Sequence, residues 1–77
     1  PVSYQIDYKN KILTIKSSND FLKNIKISNL EGKIFFSHTL TAGANELQVP
    51  LIIPNGAYLI YIHTTTNNFT HKLLVME

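Results

Sequence analysis

A chain of 77 residues has room for one hydrophobic core, so residues 1 to 77 read as a single domain, and 44% apolar against 16% charged residues excludes a disordered tract. The lack of any Cys excludes a disulfide framework, a thiolate metal site and a cysteine nucleophile, and leaves the redox compartment unreadable. All seven basic residues are dispersed Lys, and without the bidentate fork of Arg a net charge of +2 argues against nucleic acid as a partner.

The first residue is Pro1 rather than Met, as expected of a processed product or an excised segment, in which a preceding export signal would be invisible. No apolar run approaches the roughly 20 residues that cross a bilayer, so the chain is not expected to span a membrane.

From the N-terminus onward the sequence alternates with period two in short stretches rich in Ile, Thr, Tyr and Phe, each closed by Asn, Gly, Pro or Lys-Asn. Seven strands follow: Val2 to Tyr8, Lys11 to Ser17, Lys23 to Asn29, Lys33 to Leu40, Glu46 to Val49, Ala57 to Thr64 and Phe69 to Met76. Lys9-Asn10 suits a two-residue hairpin. Leu30-Glu31-Gly32 supplies Gly for a positive φ, and Thr65 to Asn68 is a polar tip between two long strands. Parity puts Tyr4, Ile6 and Tyr8 on one side of the first strand, Leu13 and Ile15 on one side of the second, and Ile25 and Ile27 on one side of the third. His38 shares a row with Ile34, Phe36 and Leu40.

In the sixth strand Tyr58, Ile60 and Ile62 form one row and Ala57, Leu59, Tyr61 and His63 the other. The seventh opposes Phe69, His71, Leu73 and Val75 to Thr70, Lys72, Leu74 and Met76. Two apolar rows require cover on both sides, so these strands are expected at the centre of their sheet or with an outer face that docks on another molecule. Pro50 and Pro54 bracket a segment that cannot continue a central strand and is expected to cross between sheets. The fold class is therefore all-β, an antiparallel sandwich of about seven strands, with a five-stranded oligonucleotide-binding barrel as the alternative.

No constellation for catalysis stands out. Asp7, Asp20, Glu31, Glu46 and Glu77 fall at strand ends or in turns, where local hydrogen bonding to the backbone accounts for Asp20 and Glu31. No nucleophile elbow or phosphate loop is present, and three glycines cannot build a phosphate cradle. If Ile62 and Leu73 both face the core, His63 lies opposite Thr70 and His71 on the other face, so the pair does not form a metal site, and His38 reads as a strand-end residue. No catalytic residue, metal or cofactor is expected. Tyr4, Tyr8, Tyr58 and Tyr61 suit either sugar stacking or cross-strand packing, and the outward Tyr61 with Leu59 and Leu74 is the candidate contact patch.

The succession Ile25-Lys26-Ile27-Ser28-Asn29-Leu30-Glu31-Gly32-Lys33-Ile34, Asn45-Glu46-Leu47-Gln48-Val49, Gly56-Ala57-Tyr58-Leu59-Ile60-Tyr61-Ile62 and His71-Lys72-Leu73-Leu74-Val75 resembles the C-terminal sorting domains of the type IX secretion system of Bacteroidota over about residues 12 to 77. The resemblance implies an immunoglobulin-like sandwich, export to the periplasm, cell surface or medium, and a non-catalytic tag. It also implies an upstream cargo and recognition by the secretion machinery. On that reading the recognition surface comprises Leu59, Tyr61, Lys72, Leu74, Met76 and Glu77, with Gly32 and Gly56 as structural turns. The same residues are similar to small stand-alone exported immunoglobulin-like domains of Bacteroidota, which implies instead a protein- or glycan-binding module. Exchange of the last strand between two copies is a further expectation, because Phe69 to Met76 could pair with a neighbour.

Overall fold

A computed structural model describes residues 2–18 and 20–76. Among them are seven strands: β1 (Val2–Asp7), β2 (Ile12–Ser17), β3 (Leu22–Asn29), β4 (Ile34–Ala44), β5 (Glu46–Pro50), β6 (Gly56–Thr64) and β7 (Asn68–Val75). They form two antiparallel sheets, of order β1-β2-β5 and β4-β3-β6-β7. This is an immunoglobulin-like sandwich rather than a barrel, and it matches the expected strands to within a few residues at each end.

The alternating rows close on each other as parity requires. Leu13 and Ile15 from one sheet, and Ile25, Ile27, Ile60, Ile62 and Leu73 from the other, are buried in one cluster. Tyr4, Ile6 and Phe69 pack at its margin. The segment 51–55 crosses from β5 to the other sheet, as the two prolines imply. Leu51 enters the core on the way, and its amide donates to the Lys11 carbonyl at 2.8 Å. Tyr58 plugs the end of the core where the chain arrives in β6. It is buried, and its hydroxyl donates to the Pro54 carbonyl at 2.5 Å, tying the corner of the chain to the sheet it enters. Its ring also lies 3.7 Å from where a Cβ on Gly56 would stand, at φ +156°.

The turn after β3 has Gly32 at φ +93° with open space around it, so glycine serves the backbone there and not the packing. It is the Asn29 carboxamide, rather than Glu31, that holds this turn, accepting from the Glu31 and Lys33 amides at 2.9 and 2.8 Å.

Five local expectations need correction. The β1–β2 register joins Asp7 to Ile12, so the hairpin loop has four residues, Tyr8 to Lys11, and not two. Lys11 takes a positive φ of 55°, and Asp7 Oδ1 accepts from the Lys9 and Asn10 amides, a side-chain-braced turn that competes with the two-residue form. In β4 the register jumps between the Ile27–Phe36 and Ser28–Ile34 pairs, so Phe35 is an extra, bulged residue. The bulge turns Ile34 out of the row it would share with Phe36 and His38. His38 itself lies within the long β4 rather than at a strand end. At the last hairpin His63 pairs with Asn68 and not Thr70, because Thr64 closes a tighter turn with Asn67. The two histidines still fall on opposite faces. Finally, β6 lies between β3 and β7, but β7 is an edge strand, so only one of the two is central.

Candidate functional site

The outer face of the β4-β3-β6-β7 sheet carries the outward rows of four strands. Register sets Ile34, Ser28, Leu59 and Lys72 side by side, then Ser37, Lys26, Tyr61 and Thr70, then Thr39, Asn24, His63 and Asn68. Leu74 pairs with Ala57 one step beyond Leu59. Leu59, Tyr61, Lys72 and Leu74 therefore share one surface. Tyr61 is 38% exposed and Leu74 50%, in keeping with an outer face that the chain itself leaves uncovered.

The remaining two expected residues fall elsewhere. Met76 follows the end of β7 and lines a crevice with Ile6, Tyr8, Leu51 and Ile53 at the open side of the sandwich. Glu77 lies outside the described residues. Beside Tyr61 a shallow groove of about 570 Å³ opens over the sheet, lined by Asn24, Lys26, Ser28, Ile34, His63, Asn68 and Thr70 among others. Sequence reasoning missed Lys26 and Ile34 as members of this surface. Lys26 was legible, since it alternates with the core-facing Ile25 and Ile27. Ile34 was legible only through the unbroken run Ile34-Phe35-Phe36, which breaks period two where the bulge sits.

The sheet is held against its partner sheet along the β7 edge by Tyr4 of β1 and Tyr8 of the loop that follows it. The Tyr4 hydroxyl donates to the Lys72 carbonyl at 3.0 Å and the Tyr8 hydroxyl to the Leu74 carbonyl at 3.3 Å. Tyr4 also packs against the His71 ring, with centroids 5.6 Å apart, on the core side of β7, where His71 Nε2 is buried without a partner.

Among the described residues the acids stand away from this face. Asp20 precedes β3 and accepts from the Thr66 hydroxyl at 2.6 Å, the Thr66 amide at 3.1 Å and the Phe21 amide at 2.9 Å. The hydroxyls of Thr64, Thr66 and Thr65 hold its carboxyl well below the usual carboxylate range. The Asn10 carboxamide and amide lower that of Asp7. The Asp7 carboxylate is thus bound within its own turn and that of Asp20 to the β6–β7 turn. Glu46 forms an ion pair with Lys16 at 3.7 Å on the other sheet. Among the described residues no three His, Asp or Glu side chains converge on a cation site, and no helix is long and apolar enough to cross a membrane.

A family model described as the secretion system C-terminal sorting domain matches residues 9–76. No curated protein matches the chain.

Proposed function

The chain belongs to the secretion system C-terminal sorting domain family, and from that membership we propose that the exposed β6–β7 face is the surface by which the secretion machinery reads it. Domains of this family are sorting signals of type IX secretion, which mark the protein carrying them for export, and the family is not a catalytic one. This chain is such a signal, and membership implies contact with the secretion machinery. Nothing in the match favours the stand-alone binding module. Residues 1–77 act as one non-catalytic unit on this reading, supported by the joining of both sheets in one buried cluster.

The observation that carries the assignment of the surface is the placement of Leu59, Tyr61, Lys72 and Leu74 on one uncovered face, with Leu74 half exposed at the edge strand. Apolar side chains that the fold does not need are available to a partner. Met76 and Glu77 extend the recognised segment past β7.

The test is a fusion of residues 1–77 to a periplasmic reporter in a type IX-competent bacterium. The unaltered domain is expected to deliver the reporter outside the cell. The Leu59→Ser/Leu74→Ser variant, with its fold verified by thermal melt, should lower export about tenfold, the loss of one modest apolar contact cluster. A reporter held in the periplasm by the unaltered domain would overturn the reading, and undiminished export by the folded variant would overturn the surface.

A further inference from the structure

The charges of this molecule are sorted between its two sheets. β3, β4, β6 and β7 contain no Asp or Glu at all, while their outer face carries Lys26 and Lys72 with His63 between the strands. The three-stranded sheet holds Asp7 and Glu46, and its one cation on that face, Lys16, is already engaged by Glu46. Neither Lys26 nor Lys72 has an ion-pair partner among the described residues. Asp20 is occupied by Thr66 of the β6–β7 turn, and Glu31 sits in the hairpin at the end of the sheet. The sheet that presents the uncovered apolar side chains is thus also the one whose outward Lys26 and Lys72 lack a counter-charge among the described residues.

We infer that the partner docking on this domain is a protein with an acidic contact surface, and that it covers the whole outer face of the four-stranded sheet, β3 and the groove beside Tyr61 included. The inference rests on the sorting reading and adds to it the chemistry of the reader and a second contact region centred on Lys26. Two features favour a protein over other anionic occupants. Leu59 stands between Lys26 and Lys72, and Ile34, 53% exposed, and Leu74 flank them on the two edge strands, so aliphatic area adjoins both lysines, the mixture of apolar and charged side chains that protein interfaces bury. Sugar hydroxyls and phosphates gain little from such area. The absence of Arg removes the usual fork for phosphate. The groove, about 570 Å³ and open along one side, has room for a protruding acidic loop whose carboxylates reach the Lys26 amine from above Tyr61.

The experiment compares variants with equal changes of net charge on opposite faces, in the same reporter fusion. Lys26→Gln/Lys72→Gln removes two positive charges from the four-stranded face. Gln5→Glu/Gln48→Glu adds two negative charges to exposed positions of one row on the three-stranded face. With melts unchanged, the first should lower export about tenfold and the second leave it within roughly twofold, because the charge that matters is the one facing the partner. Lys26→Arg/Lys72→Arg should restore export. In parallel the domain is titrated with a decaglutamate peptide and, separately, with polygalacturonate, following backbone amide shifts. Shifts from decaglutamate confined to the outer face of the four-stranded sheet at about 20 mM salt and lost at about 300 mM support the inference. Shifts there from polygalacturonate alone overturn it in favour of a glycan. Undiminished export by Lys26→Gln/Lys72→Gln overturns it too, and if Leu59→Ser/Leu74→Ser still fails, the sorting surface stands without an acidic reader. If the unaltered domain is not exported, the sorting reading falls and takes this inference with it.

Discussion

Asp20 shows how a single carboxylate can fasten two distant parts of a small chain. It lies before β3, yet its oxygens receive donors from Thr66 in the β6–β7 turn, and Thr65 returns a bond to the Phe21 carbonyl at 3.3 Å. Because the folded state holds this carboxyl below its ordinary value, while the unfolded chain leaves it near 3.9, the folded protein binds the proton less readily. The stabilisation is therefore complete above about pH 4 and is lost as pH falls from there through the lowered folded value. Asp7 acts in the same direction, so both contribute to the acid limb. Melting temperature followed from pH 6 down to pH 2.5 should decline less steeply in Asp20→Asn than in the unaltered chain, with the residual slope left to Asp7. Equal slopes would show that the threonine clasp does not couple to folding. The sequence revealed Asp20 as a turn residue, but not its partner, because nothing local in residues 17–21 marks a contact 46 positions away. Tyr58 is similar: its burial was legible from parity, while its bond to Pro54 depends on how tightly the crossing segment folds back.

At the level of strands, alternation assigns faces reliably and neighbours poorly. The core rows expected for β2, β3, β6 and β7, and Tyr4 and Ile6 of β1, are buried or half-buried where they should be, since a strand has only two faces and water selects between them, while Tyr8, past the end of β1, is exposed. Which strand lies beside which is set by crossings between sheets, and two apolar rows on β7 reproduce the signature of a central strand although β7 is an edge. The bulge at Phe35 and the braced loop Tyr8 to Lys11 escaped for a related reason: one inserted residue costs little locally, and it is paid back by contacts such as the Phe35–Tyr58 rings at 5.5 Å. The exposed edge of β7 is managed by Tyr4 of β1 and Tyr8 of the loop after it, whose hydroxyls occupy the Lys72 and Leu74 carbonyls and so blunt a template for further strand pairing. Removing both hydroxyls in Tyr4→Phe/Tyr8→Phe keeps the rings and their packing. With both bonds partly in water, together they contribute about 1 kcal/mol, so the β7 amides that pair with β6 should exchange hydrogen roughly fivefold faster while those between β2 and β5 stay unchanged. Uniform acceleration across both sheets would mean that the tyrosines stabilise the whole fold and not that edge.

Across the whole molecule, reading and folding share the same strand. Along β6 the buried Tyr58, Ile60 and Ile62 alternate with Leu59, Tyr61 and His63 on the outer face, so the recognition surface exists only while the core holds the strand flat. A chain of this length commands a total stability of about 4–12 kcal/mol, with no covalent link to supplement it. Ile60 is fully buried at the centre of the cluster, and Ile60→Ala should cost about 3 kcal/mol, lowering the melting temperature by roughly 12–24 °C. It lies on the buried row of β6, opposite the outward side chains. The two kinds of variant should therefore separate by temperature in the export assay. Ile60→Ala should export like the unaltered domain in cells grown well below its lowered melting point and lose export as growth temperature nears that point. Leu59→Ser/Leu74→Ser, which spares the core, should be impaired at every temperature. Export of Ile60→Ala that persists above its own melting temperature would show that the machinery reads the segment as an extended chain, and that the face built by the sandwich is not what it recognises.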